Sequence, residues 1–119
     1  MTTEFEFTKQ HSLKDRREEA SRILSQHPER IPVIVEQSPK SVLPPLDKTK
    51  YLVPRDLTVG QFAYVIRKRI KLKPETAIFV LVNNTFPNTS TEMQQLYDEH
   101  KSKDGFVYVQ VSGENTFGC

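Results

Sequence analysis

Few residues in this 119-residue chain have the types and spacing that chemistry demands. The histidines, His11, His27 and His100, are scattered, and none stands at metal-ligand spacing with the single cysteine, Cys119. They read as surface or packing histidines, and neither a metal nor another cofactor is expected. Cys119 is the last residue. A nucleophile needs a base held in hydrogen-bond reach, and a terminal side chain lacks the scaffold for one. Nor is it a prenylation box, which needs three further residues. The glycines, at 60, 105, 113 and 118, match no phosphate-loop or dinucleotide spacing. No residue pattern supports an enzyme.

Two stretches have binding chemistry instead. The run Arg67 to Lys73, RKRIKLK, is the strongest basic patch. It is either a solvated helix C-terminus, where positive charge complements the dipole, or a contact for acidic partners or anionic lipid. The stretch Lys50 to Pro54, KYLVP, is a short apolar strand that ends on a proline or lies at a sheet edge, because proline cannot donate to a ladder. An exposed edge accepts an extended peptide through its backbone; the other reading is plain sheet packing.

The elements that must position these stretches follow from periodicity. Thr58 N-caps a helix, with Gln61 at capping-box spacing and Leu57 and Phe62 placed for a hydrophobic staple. Val59, Phe62, Ala63, Ile66 and Ile70 give it one apolar face. Upstream, Ser12 and Asp15 open a thinly apolar helix that Pro28 closes. Arg30 to Glu36, RIPVIVE, reads as a strand with Ile31, Val33 and Val35 on one face and Ile34 on the other. Gln37 to Lys50 is a proline-punctuated loop. Ala77 to Val82, AIFVLV, reads as a buried strand that Asn83 and Asn84 end. Thr91 and Gln94 repeat the capping-box spacing before a helix with Met93, Leu96, Tyr97 and His100 on one face. Phe106 to Val111, FVYVQV, is the last strand, with its valines on one face and Phe106 and Tyr108 on the other. Met1 to Gln10 is either a short helix or an extended arm, and the tail SGENTFGC should be mobile. The order suggests an α+β domain with the 58–69 helix across one face of a small mixed sheet and the 12–25 helix over the other.

Length and composition fit one small soluble domain with a real core. A formal net charge of +2 argues against a dedicated nucleic-acid binder. No apolar run approaches the roughly 20 residues of a membrane span. The N-terminus lacks the apolar core of a secretory signal, and one cysteine makes no intrachain disulfide, so a reducing, cytosolic setting is expected.

DKTKYLVPRDLTVGQFAYVIRKRI, RIPVIVE, VNNTFP, LYDEH and the ending FGC resemble, in order and spacing, the autophagy ubiquitin-like modifiers: autophagy-related protein 8, the GABA-receptor-associated proteins and microtubule-associated light chain 3. The resemblance runs from about His11 to the C-terminus. It implies a ubiquitin-like β-grasp with a four-stranded mixed sheet and two additional N-terminal helices. The expected division is an N-terminal helical extension (1–28), a β-grasp core (29–112) and a mobile tail (113–119).

The resemblance also implies a function. A dedicated cysteine protease would read Phe117, cut after Gly118 and release Cys119; E1-, E2- and E3-like enzymes would then join Gly118 to phosphatidylethanolamine. The protein would be the substrate of that chemistry, cytoplasmic before conjugation, and on the autophagosome membrane and in the vacuole or lysosome after it. Cargo receptors and adaptors with aromatic-x-x-aliphatic motifs would add a strand at Lys50 to Val53. Glu19, Ile23, Pro32, Lys50, Leu52 and Phe106 would form the aromatic pocket. Tyr51, Val53, Pro54, Leu57, Phe62 and Val65 would form the aliphatic one. Arg30 and Arg69 would meet acidic flanks. A monomer in solution is expected, with no nucleic-acid partner. The alternative is an unconjugated adaptor that uses the same groove for vesicle trafficking or cytoskeletal partners. Gly105 stands where a bulkier residue is frequent in the family, and is expected to loosen the start of the last strand.

Overall fold

The computed structural model describes residues 5–39 and 43–113. Four helices and four strands follow in the order α1 (Glu6–Gln10), α2 (Leu13–Gln26), β1 (Arg30–Gln37), β2 (Lys50–Pro54), α3 (Val59–Arg69), β3 (Phe79–Leu81), α4 (Met93–His100) and β4 (Val107–Ser112). The sheet order is β2-β1-β4-β3. The central pair β1/β4 is parallel, with Val33 opposite Val107, and both outer strands run antiparallel to their neighbours. This is the α+β, ubiquitin-like β-grasp expected from the resemblance, with α1 and α2 added at its N-terminus.

Alternation along the central strands divides the core in two. Ile31, Val33 and Val35 of β1 and Val107, Val109 and Val111 of β4 pack with Val59, Phe62 and Ile66 of α3. Ile34 faces the other way and joins Phe106, Ala20, Ile23 and Phe7 beneath α1 and α2. The two-sided strands are thus covered on both faces.

Local chemistry sets the helix ends. In α3 the capping box is complete: Gln61 N–H donates to Thr58 Oγ1 at 3.1 Å, and Thr58 N–H to Gln61 Oε1 at 2.9 Å. Ser12 Oγ accepts from Asp15 N–H at the start of α2. The box expected at Thr91 and Gln94 does not form. The N-cap of α4 is Glu92, which makes no side-chain cap bond. The first amides of α4 go instead to the chain before α3: Met93 N–H donates to the Leu57 carbonyl at 2.7 Å and Gln94 N–H to that of Arg55 at 2.9 Å. Tertiary acceptors satisfy the orphan donors, so the Gln94 side chain is free to bond Arg55 and Asp98.

Two further expectations are corrected. The strand expected over Ala77 to Val82 spans only Phe79–Leu81, with Phe79 and Val80 half-buried, because β3 is an edge with one neighbour. Asn83 (φ 48°) and Asn84 (φ 62°) end it as a tight turn closed by Val82 and Thr85, and asparagine tolerates this left-handed backbone. Gly105 does not loosen β4. It has φ +94°, and a Cβ built there would lie 2.9 Å from the Ala20 Cβ. The missing side chain lets α2 approach the start of the strand.

Residues 6–10 are helical, and the cap comes from another element. Both Glu36 carboxylate oxygens accept, one from Glu6 N–H at 2.9 Å and the other from Phe7 N–H at 3.0 Å. Phe7 is buried, edge-on to Phe106 at 5.3 Å, and Phe5 packs edge-on to Tyr108 at 5.0 Å.

Candidate functional site: the open edge of β2 and its groove

Register decides which backbone groups of β2 are available. Val35 N–H donates to the Thr49 carbonyl at 2.8 Å, so Thr49 exchanges hydrogen bonds with β1. Bonded pairs alternate in an antiparallel ladder, and Val33↔Tyr51 and Ile31↔Val53 continue the bonded set. Lys50 and Leu52, opposite Ile34 and Pro32, therefore aim their N–H and C=O groups away from β1. Among the described residues no strand lies beyond β2, so this edge turns two donors and two acceptors outward at strand spacing, the Leu52 acceptor bonded to the Arg30 side chain.

On the α3 side of this edge lies a groove of about 490 Å³. It brings together all six residues expected for the aliphatic pocket: Tyr51, Val53, Pro54, Leu57, Phe62 and Val65. Arg30, Leu52 and Arg69 line it too. The Tyr51 and Phe62 rings meet edge-on at 5.8 Å and make its floor rigid. Val65 is 43% exposed, so an apolar wall faces solvent before anything binds. Lys48 and Lys68 also line the groove; neither is in the set expected for it, although Lys68 belongs to the basic run Arg67 to Lys73. Lys68 follows Val65 by three residues and so shares its face of α3, whereas alternation would put Lys48 on the side of Lys50, and only the structure turns it to the groove.

The residues expected for the aromatic pocket sit on the α2 side. Ile23 and Phe106 belong to the second core cluster, with Leu52 packed against it, and Pro32 is buried on β1. Lys50 Nζ forms an ion pair with Glu19 that spans from β2 to α2. Phe106 is wholly buried, so a ring entering here must part α2 from β2 at that ion pair. Asp104 fixes the approach to Phe106. Buried among its neighbours, it accepts from Arg16 Nε at 2.9 Å, from Phe106 N–H at 2.9 Å and from the Tyr108 hydroxyl at 2.5 Å. Charged partners make such bonds strong, and they tie α2 to the start of β4. Burial pushes the Tyr108 phenol well above its ordinary range, and donation to Asp104 pushes it further.

Basic side chains rim the groove, each with a local partner. Arg69 pairs with Asp47 at 3.0 Å, Lys48 lies 5.1 Å from the centre of the Tyr51 ring, and Lys68 lies 5.4 Å from that of Tyr64. Arg30 Nη1 donates to the Leu52 carbonyl at 2.9 Å. The Tyr51 hydroxyl is buried and has no hydrogen-bond partner among the described residues. Burial raises its pKa against the opposing pull of Arg69. Within the basic run, Arg67 turns back to the carbonyls of Lys73, Pro74 and Thr76 and pins the loop after α3. Part of that patch is thus structural.

Among the described residues no group of three or more histidine, cysteine, aspartate or glutamate side chains could hold a metal, and no helix is long and apolar enough to cross a membrane. Phe117, Gly118 and Cys119, where trimming and conjugation are expected, lie outside the described residues.

The chain matches the family model for autophagy protein Atg8, ubiquitin-like, over residues 15–118. It is 58% identical to autophagy-related protein 8d of Arabidopsis thaliana, over 94% of this chain and 93% of that one. It is 57% identical to autophagy-related protein 8 of Mycosarcoma maydis, over 94% and 95% of the two chains. The crystal structure of Trypanosoma brucei ATG8 superposes with a TM-score of 0.91 at 41% identity, covering 98% of this chain and all of that one. Family match, near full-length relatives and a shared β-grasp agree: the chain belongs to the Atg8 family of autophagy-related ubiquitin-like proteins.

Proposed function

We propose that this protein is a ubiquitin-like modifier of autophagy, trimmed to Gly118 and conjugated there to phosphatidylethanolamine, that recruits cargo receptors bearing aromatic-x-x-aliphatic motifs. The observation that carries the binding half is the open edge of β2: outward-facing Lys50 and Leu52 backbone groups, with Arg30 on the Leu52 carbonyl, beside a preformed apolar groove. An extended segment adding there gains main-chain hydrogen bonds and seats its aliphatic residue among Val53, Leu57 and Val65. Its aromatic residue enters between α2 and β2, where Glu19 and Lys50 meet. Family membership supports the conjugation half, with Phe117 as the aromatic before the cut and Cys119 as the residue removed. A glycine lets the reacting carbonyl enter a narrow channel. The autophagy protease and the E1-, E2- and E3-like enzymes are the partners this requires. The protein is cytoplasmic before conjugation and on the autophagosome membrane, then in the vacuole or lysosome, after it.

The test is intact mass after incubation with a lysate that contains the autophagy protease. Loss of one cysteine residue, with Gly118→Ala blocking later membrane attachment, is the expected result. An unchanged mass, with a control family member cut in the same lysate, refutes the conjugation half. For the groove, Tyr51→Ala with Leu52→Ala should abolish motif-peptide binding by calorimetry and leave processing intact.

A further inference from the structure

Glu36 has no part in the groove, yet its carboxylate is fully engaged. It lies on β1 two residues beyond Ile34, on the same face, with Gln110 of β4 opposite. Both oxygens go to α1, accepting from Glu6 N–H at 2.9 Å and from Phe7 N–H at 3.0 Å. The N-cap residue of α1, Phe5, makes no side-chain cap bond, so this remote carboxylate takes the cap's place. A five-residue helix is too short to hold itself in water, and it stays formed only while docked. A second clamp holds its other end. Arg16 Nη1 donates to the carbonyls of Thr8 at 3.3 Å and His11 at 2.6 Å, while its Nε donates to Asp104 at 2.9 Å.

Docked in this way, α1 puts Phe7 against the back of the aromatic pocket. Phe7 is buried and meets the Phe106 ring edge-on at 5.3 Å. Phe106 shares its cluster with Ile23, and Leu52 packs on that cluster from β2. The Phe106 ring thus stands between α1 and the place where a motif aromatic enters. We infer that Glu36 is a positioning residue for the aromatic pocket, acting through α1 and Phe7, an inference that rests on the groove reading above. With α1 docked, Phe7 fixes the Phe106 ring before the motif arrives. With α1 released, the ring gains freedom that binding must remove again, and affinity falls. Such coupling is reciprocal: a motif bound in the groove must hold α1 down by the same factor.

The experiment uses one uncharged aromatic-x-x-aliphatic peptide, acetylated and starting at its aromatic residue, so that nothing precedes it to touch α1. It is titrated calorimetrically into the full chain, into Glu36→Ala and into Glu36→Gln, which keeps the shape and one acceptor. Glu36→Ala should bind it about threefold to tenfold more weakly than wild type, within the range that losing a helix cap spans. Glu36→Gln should fall between the two, and it carries the same prediction if alanine unfolds the chain. Amide exchange supplies the readout that a merely structural role would not move. In the wild-type chain, saturating peptide should slow exchange of the Phe7 amide by at least the factor of affinity that Glu36→Ala loses. Equal or tighter binding by the variants overturns the inference, as does a Phe7 amide that the peptide leaves unchanged: Glu36 then only holds α1. Full protection of Phe7 in Glu36→Ala overturns it too, because α1 is then held by something else. Should the wild-type chain not bind the peptide at all, the groove reading itself fails, and the inference with it.

Discussion

Substituting Gly105 by alanine should be among the most damaging changes outside the apolar core. Two terms add. Residue 105 has φ +94°, a backbone that costs an L-residue about 1–2 kcal/mol. The new Cβ would lie 2.9 Å from the Ala20 Cβ, and overpacking of this kind costs about 1–3 kcal/mol. The expected loss is thus about 2–5 kcal/mol, a large share of a small domain's stability. The terms separate in a double-mutant cycle. Ala20→Gly alone should cost about 1 kcal/mol, as glycine does inside a helix. Combined with Gly105→Ala, it removes the contact and leaves the backbone strain. The pair should therefore be about 1–3 kcal/mol more stable than the sum of the single losses. Urea denaturation with linear extrapolation measures each corner. A loss below about 0.5 kcal/mol for Gly105→Ala, or additivity within that margin, would refute the close approach of α2 to β4.

Three further outcomes follow from the same geometry. Tyr51, Tyr97 and Tyr108 have phenols raised by burial, so the folded state resists their ionisation. A raised folded pKa means this stability is complete below the unfolded value of about 10 and is lost as pH climbs above it. Denaturation midpoints should fall from about pH 10 upward, with tyrosinate absorbance rising at unfolding; a flat stability profile there would contradict the burial. Tyr51→Phe should be neutral or stabilising by up to about 1 kcal/mol, since the lost hydroxyl is buried and unpartnered among the described residues; a clear loss in a thermal melt would mean it has a partner. Glu36→Ala removes the carboxylate that accepts from Glu6 and Phe7 and should cost α1 about 1–2 kcal/mol locally. Amide exchange should show lost protection at Phe7 with β1 unchanged.

Local chemistry in the sequence determined most of the architecture. Thr58 and Gln61 placed the start of α3 because a capping box uses only neighbouring residues. Alternation in RIPVIVE separated Ile31, Val33 and Val35 from Ile34, and so foretold two covered faces, because strand period is fixed at two. Pro54 marked β2 as short and near an edge. Matched motifs then named the family, and the six residues they assign to the aliphatic pocket line one groove beside β2. What the tertiary structure alone decided depends on partners far apart in the chain. Glu36 caps a helix 29 and 30 residues upstream, and no local pattern shows it. The amides at the start of α4 bond to Arg55 and Leu57, so a convincing capping box at Thr91 and Gln94 went unused. Gly105 read as a weakness in the strand until Ala20 was seen to occupy its missing side chain's place. The Arg30 bond to Leu52 has the same origin. Spacing alone can place an arginine beside a strand, but only register shows that the carbonyl it covers faces outward.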